Sequence, residues 1–341
     1  MRKRIVSVLI LLLPGILMSF FHAAAQSPDT AATEHEKPAL RISMPSYGTI
    51  RFEGDISAGD RIRLYQREYR SAEAVIIDTL LSDTAAETDS RADVPWNTYN
   101  ALSAERIRPD FAYHGSDVTL KALYGIVSEG SSEIRSGLFY TECFLETSVI
   151  NQFYSTYHGS SSCGEAAGVI AIQPVYPSEG IEMYDRMNVM RDYCMDGDDF
   201  CTGAPLYETV GVHITNTVNR YITEELSGSL LFTDHRTADK TTQETLIGLV
   251  STGRPAVIEV CYLRGSVTQD FWGISHWIVI NGFFLVGNTY WFRYSDPITV
   301  SYIGISSDLL EASNKNVAYP GLPYTPDRYI GAFSDPLFSI E

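Results

Sequence analysis

The sequence predicts an α+β fold in which an all-β, sandwich-like domain precedes a domain whose helices come before its antiparallel sheet. Three observations carry this expectation. Residues 40–145 alternate polar and apolar positions in short runs split by Gly, Asp and Ser, the period of half-buried strands. From residue 146 the apolar positions fall at helical spacing, and after Pro255 the runs turn strand-like again. Helices first and sheet second suit a helical layer packed on an antiparallel sheet, with a cleft between them.

At the N-terminus, Arg2, Lys3 and Arg4 precede an apolar run from Ile5 to Phe21, and Ala23 to Ala25 supply the small residues of a cleavage site. Residues 1–25 therefore read as a signal peptide. The run is broken by Pro14 and Gly15 and is short for a membrane span. The expectation is an exported protein, periplasmic, cell-surface or secreted, with no stable membrane insertion once the signal is cleaved. Residues 26–39, with the polar stretch "SPDTAATEHEKP", read as a linker.

Within residues 40–145 the expected strands are "TIRFEGDI", "RIRLYQREY", "EAVIIDTLL", "VTLKALYGIV" and "RSGLFYTECF". A sandwich of fibronectin or immunoglobulin type is the natural assignment. Such modules bind or anchor, so a cell-surface ligand is the candidate partner of this segment. In residues 146–341 the expected helices are "GEAAGVIAIQ", "IEMYDRMNVMRDY", "ETVGVHITNTVNRYITEEL" and "TTQETLIGLVSTGRP". The last begins with a capping-box pattern, Thr241 to Glu244, and stops at Gly-Arg-Pro. The strands expected after it are "AVIEVCYL", "HWIVINGFFL" and "TYWFRYSDP", with "VGN" as the turn between the last two.

Composition narrows the function classes. The formal net charge is −17, and loss of the three N-terminal cations would take the mature chain to about −20. Such a surface repels nucleic acid, so no nucleic-acid partner is expected. Dinucleotide, Walker and zinc-protease spacings are absent, and no cofactor or metal is expected. The acidic loop with Asp196, Asp198 and Asp199 lacks an EF-hand ligand set. His158 reads as a solvated loop residue and His213 as a packing residue on a helix.

Export bears on the five cysteines, Cys143, Cys163, Cys194, Cys201 and Cys261. An oxidising compartment favours pairing, and an odd count leaves at least one thiol over. With Cys163 as the free thiol, Cys194 and Cys201, which bracket "CMDGDDFC", form the expected local staple. Cys143 and Cys261 then pair by elimination. In a reducing compartment all five would be free.

Cys163 is singled out by its setting, where the small residues of "HGSSSCGEAAG" meet a helix start. A helix N-terminus and a nearby imidazolium both favour the thiolate that amide hydrolysis needs. His276 opens "HWIVINGFF" and Asp296 closes "YWFRYSDP". Antiparallel pairing brings the end of the second strand beside the start of the first, making these two neighbours and a base with its orienter. Gln152, in "INQFYS", supplies a side-chain amide for an oxyanion, with the Cys163 N–H as second donor.

These stretches, "INQF", "SCGEAAGVIAI", "LIGLVSTGRPAVIEV", "SHWIVINGFF" and "YSDP", together resemble the papain-fold cysteine peptidases of the double-glycine leader (bacteriocin-processing) peptidase-like family. The likeness covers roughly Ser148 to Pro297. It implies a papain-like domain over residues 146–341 that acts on a peptide or protein substrate. It further implies Cys163 as nucleophile, His276 as general base and acid, Asp296 as orienter of the imidazole, and Gln152 as oxyanion donor. Two positions depart from the family pattern: Glu165 stands where Pro is usual, and Ser275 where Gly commonly precedes the His. Glu165 is expected to face outward, because a carboxylate turned to the sulfur would oppose the thiolate. The transporter-linked members carry membrane and nucleotide-binding domains that this sequence does not show, so a stand-alone exported hydrolase is expected. A transglutaminase-like acyl transferase and an inactive papain-fold binding protein are the competing readings.

Overall fold

Ile50, Phe52, Ile62, Leu64 and Val94 lie two apart along their strands or face one another across them, and all five are fully closed off from water. Their burial is what turns the alternating sequence of the first third of the chain into two stacked sheets. The computed structural model describes residues 40–46, 48–70, 73–96, 120–156, 162–196, 211–235, 240–262, 274–299, 301–306 and 330–340. The expected signal peptide, the whole of the expected linker, His158, Asp198, Asp199, Cys201 and the side chains of Asp196, His213, Cys261 and Ser275 lie outside the described structure.

Strands β1 (Arg41–Ser46) and β2 (Thr49–Glu53) pair with each other, and β2 pairs with β5 (Arg91–Pro95), forming a three-stranded antiparallel sheet. Between β2 and β5 come β3 (Arg61–Arg70) and β4 (Val75–Ala85), which belong to a second and larger sheet. β6 (Leu120–Glu129), β7 (Ser132–Arg135) and β8 (Phe139–Phe144) extend it. Ile50, Phe52, Ala92 and Val94 of the small sheet share one apolar cluster with Ile62, Leu64, Leu123 and Val127 of β3 and β6. Each such Val, Leu, Ile or Phe side chain contributes roughly 1.5–3 kcal/mol by leaving water. The Phe52 ring lies so close over Gly125 that any Cβ there would overlap it, so this sheet-on-sheet contact requires glycine.

The second half begins with a 3-10 turn at Gln152–Tyr154 and continues through α1 (Cys163–Ile172), α2 (Ile181–Asp196) and α3 (Gly211–Glu224). After β9 (Phe232–Asp234) comes α4 (Thr242–Val250), then β10 (Ala256–Tyr262), β11 (Ile274–Val286), β12 (Thr289–Asp296), β13 (Ser301–Ser306) and β14 (Ile330–Phe333). The capping box of α4 is present in full: the Thr241 hydroxyl accepts from the Glu244 N–H at 3.1 Å, and the Glu244 carboxylate accepts from the Thr241 N–H at 2.8 Å.

β11 organises the sheet. Its first half pairs with β10 and its second half with β8, while β12 runs antiparallel along its other side. A register irregularity between Ile280 and Gly282 separates the two halves. β14 and β9 complete the β10 side, and β13 the β12 side. The change of sequence texture near residue 145 therefore coincides with no break in the hydrogen-bonded sheet, because β8 from the first segment pairs directly with β11 from the second. Residues 38–341 cluster as one compact unit.

Helices occupy both faces of this sheet. On one, α1, α2 and α3 share a core with Val257, Trp277 and Val279. On the other, Leu246, Leu249 and Val250 of α4 meet Ile258, Val260, Ile278 and Ile280. The fold is thus mixed α and β with antiparallel strands, in keeping with the expected α+β class. Among the described residues no helix is long and apolar enough to cross a membrane.

One cysteine pairing expected above is overturned. Cys143 is a free thiol, fully buried on β8, and its S–H donates to the Val250 carbonyl at 3.2 Å. It lies where β8 meets α4 and behaves as a small core hydrophobe, so it makes no bond to Cys261. Cys194 is disulfide-bonded.

Candidate active site

Glu165 apart, α1 is apolar around its whole circumference, and every one of its residues is buried. A helix of that kind can only sit inside, between a sheet and further helices. Gly168 makes the close approach feasible: a Cβ there would lie 2.7 Å from Cγ2 of Val218 on α3 and 3.4 Å from Sδ of Met190 on α2. Held in this way, α1 presents its N-terminal residue, Cys163, to β11.

Ser162 is the N-cap and makes no side-chain capping bond. The N–H groups of Cys163 and Gly164 at the start of α1 favour the anionic form of the Cys163 sulfur. From across the interface the N–H of Trp277, the residue after His276, acts in the same direction. Cys163 is a free thiol with 9% of its surface exposed. Burial pushes the thiol up to about 12; the Trp277 amide draws it down, the Glu165 carboxylate adds to the rise, and the two helix amides oppose it. The standing thiolate expected from the helix terminus is therefore outweighed by desolvation in the resting site.

His276 and Asp296 are neighbours. The β11–β12 register pairs Val279 with Ser295 and Ile280 with Tyr294, which returns the end of β12 to the beginning of β11. His276 Nε2 lies 2.9 Å from Asp296 Oδ1, and both side chains are buried. Burial alone would raise the Asp296 carboxyl, yet hydrogen bonds from His276, the Ile298 N–H and the Thr299 hydroxyl hold it below its ordinary value. Asp296 is thus an ionised acceptor, and its bond to Nε2 fixes the plane of the imidazole.

Gln152 is buried and arrives at the same corner. The chain leading to it is tied down in steps: the Leu145 N–H donates to the Asn281 carbonyl at 2.8 Å, the Ser148 N–H to Gln173 Oε1 at 2.5 Å, and the Gln152 N–H to the Pro297 carbonyl at 3.0 Å. The Asn151 side chain then caps the 3-10 turn by accepting from the Phe153 N–H at 2.9 Å. Beyond the turn, Thr156 is held by Asn188 of α2.

The expected outward orientation of Glu165 is not found. Glu165 is 2% exposed and points into the α1–α2 interface, where its Oε1 lies 3.0 Å from Nη1 of Arg191, and neither side chain is accessible to solvent. An all-buried helix has no outward face, so the carboxylate takes an internal counter-charge instead.

Of the expected site residues, His276 is brought onto Asp296, Gln152 onto the residue following Asp296, and Cys163 onto the amide following His276. Sequence reasoning missed Arg191, the Trp277 amide and the buried trio Asn281, Thr147 and Ser295. In that trio Asn281 Nδ2 donates to Thr147 Oγ1 at 2.7 Å and Ser295 Oγ at 2.6 Å, pinning the residue before Asp296. Arg191 had one signal: a carboxylate in an otherwise apolar helix needs a cation. No group of three or more potential metal ligands occurs among the described residues.

No protein-family model matches this chain. No curated protein matches it either.

Proposed function

We propose that the protein is an exported cysteine peptidase or related amide hydrolase of papain-like fold, in which Cys163, His276, Asp296 and Gln152 act together on a peptide or protein substrate. The observation that carries this reading is the 2.9 Å bond between His276 Nε2 and Asp296 Oδ1 at the corner where Gln152 is tethered to Pro297. Because burial keeps the thiol protonated, the Cys163 proton passes to His276 as the sulfur attacks the amide carbon. The new S–C bond places negative charge on the carbonyl oxygen, which the Gln152 amide and the Cys163 N–H stabilise. His276 then gives its proton to the departing amine as the C–N bond breaks, and water hydrolyses the thioester. The N-terminal strands would serve as a sandwich-like binding module, and Cys194 with Cys201 as an oxidised staple of the exported form.

The test is hydrolysis of a mixed peptide library followed by mass spectrometry of new termini. The wild-type protein should cut, iodoacetamide should abolish cutting, and Cys163→Ala should be inert. Equal cleavage by Cys163→Ala and wild type overturns the assignment. A second reading, an inactive papain-fold binding protein, is favoured by the burial that pushes the thiol up to about 12. Under that reading Cys163 resists alkylation up to strongly alkaline pH, and the library stays intact.

A further inference from the structure

Exposed apolar side chains gather at the corner where the Gln152 N–H meets the Pro297 carbonyl. Phe153 follows Gln152 and Ile298 follows Pro297, so both side chains leave the backbone within one residue of that 3.0 Å bond. Gln152 and Pro297 are buried, yet Phe153 is 54% exposed and Ile298 38%. The Ile298 N–H donates to Asp296 Oδ1 at 2.8 Å, which fixes this aliphatic residue against the acid of the site. On the other side Tyr154, also exposed, meets Tyr184 of α2 edge-on with ring centres 5.4 Å apart. Thr156 then ties the chain to Asn188 of the same helix through its N–H at 2.9 Å and its hydroxyl at 3.1 Å. Large apolar side chains scattered singly over a surface are ordinary, but a fixed group of them is not. Among the described residues four such exposed side chains lie on β4, and Phe153, Tyr154 and Ile298 lie at this one corner.

We propose that Phe153 and Ile298, with Tyr154 beside them, form a specificity surface that takes a bulky apolar side chain of the peptide substrate next to the scissile bond. The Gln152 amide marks where the scissile carbonyl oxygen comes to rest. Successive Cα atoms of a peptide lie about 3.8 Å apart, so the substrate side chains that flank the bond come down on the residues that flank Gln152. Asp296, the acid of this corner, is closed in and accepts from His276 and the Ile298 N–H, so what faces outward here is apolar. Burying an aromatic and an aliphatic side chain against the substrate supplies binding energy that a small or charged substrate residue cannot draw on. The formal net charge of −17 works against an anionic lipid surface as the cover of this rim.

The inference takes the place of the scissile bond from the peptidase reading, so its test has one arm with catalysis and one without. Octapeptides carrying Phe, Leu, Ala, Lys or Asp in turn at each central position are offered to the wild type and to the double variant Phe153→Ser with Ile298→Ser. The same peptides are titrated against both proteins in a Cys163→Ala background. Both substituted side chains are exposed, so the fold should survive their loss, and Leu80→Ser on β4 controls for removal of an exposed apolar side chain elsewhere. Phe or Leu at one fixed position beside the cut should raise kcat/KM over Ala, and the double variant should lower that preference about tenfold, mainly through KM. The dissociation constants of the same peptides should rise by about the same factor, while Leu80→Ser matches the wild type in both arms. Cleavage without an apolar preference, or with the preference intact in the double variant, overturns the specificity surface and leaves the peptidase reading standing. No cleavage by the wild type, with binding of Phe peptides weakened in the double variant, sinks the peptidase reading and leaves the surface. Neither cleavage nor binding overturns both. Binding to phosphatidylcholine vesicles that the double variant loses, with peptide affinity unchanged, assigns the rim to a lipid surface and overturns the proposal.

Discussion

The Gln152 backbone N–H donates to the Pro297 carbonyl at 3.0 Å, so the residue with the candidate oxyanion amide is tethered to the residue that follows Asp296. The tether uses only main-chain atoms. Gln152→Ala should therefore keep the 3-10 turn in place while losing the side-chain donor. The expected outcome is a fall of about 10²–10³-fold in kcat on any peptide the wild type cleaves. Steady-state kinetics would check this, and an unaltered kcat would remove Gln152 from the mechanism.

Asp296 makes two separable predictions. Asp296→Asn keeps the shape of the side chain but replaces an ionised acceptor of the His276 ring N–H with an amide. Activity should drop by about a hundredfold or more, because the imidazole loses its fixed orientation and the support for its positive charge. The same carboxyl is held below its ordinary value in the fold. A depressed carboxylate adds stability that is present above the unfolded value, near 3.8, and is lost as pH falls through the folded one. Denaturant midpoints measured from pH 5 downward should thus decline less steeply in Asp296→Asn than in wild type.

How far the site was legible follows from the kind of signal each residue left. His276 and Asp296 sit on two strands joined by a two-residue turn at Gly287 and Asn288, with Val286 opposite Thr289. Hairpin register is set locally, so sequence alone brought them together. The α4 capping box was legible for the same reason. Glu165 was misjudged because its orientation was argued from what the sulfur requires, whereas it is decided by what surrounds α1. The run "GEAAGVIAI" is apolar on all sides, and that pattern already denies the carboxylate a wet face. The pairing of β8 with β11, and the placing of β14 between β10 and β9, join residues far apart in the chain. No local pattern encodes such contacts. Cys143 was misjudged because counting cysteines ignores that a buried thiol also packs well as a hydrophobe.

Packing behind the nucleophile gives a stability prediction. Gly168→Val would drive its branches into Val218 Cγ2, already 2.7 Å from an ideal Cβ, and toward Met190. Those neighbours are fixed in a closed core, so overpacking should cost about 1–3 kcal/mol. Equilibrium urea unfolding would measure it. Because α1 carries Cys163, the same variant should change the labelling rate of that thiol more than that of Cys143, which lies in the other cluster.

The Asn281 trio should be costly to break for a different reason. Asn281 is fully buried and its Nδ2 serves two hydroxyls, Thr147 Oγ1 and Ser295 Oγ. Asn281→Leu removes the donor while leaving both hydroxyls inside, so about 1–3 kcal/mol of stability should be lost. Ser295 precedes Asp296, and the loosened end of β12 should also weaken the hold on His276. Removing the two hydroxyls as well, in Asn281→Leu with Thr147→Val and Ser295→Ala, should restore part of the stability. It should not restore activity if the trio aligns Asp296.

The alkaline limb of the stability profile tests whether the resting Cys163 is a thiol. A thiol raised from about 9 in the unfolded chain to about 12 in the fold contributes stability that is whole below pH 9 and is lost as pH climbs toward 12. Each pH unit in that window costs up to about 1.4 kcal/mol for one such group. Cys143, also raised by burial, adds a loss of the same sign. Cys163→Ser should therefore flatten the decline between pH 9 and 12 without abolishing it. If the slope is unchanged by Cys163→Ser, the sulfur is already ionised by pH 9 in the fold. Attack would then start from the thiolate, and the base step assigned to His276 would precede substrate binding.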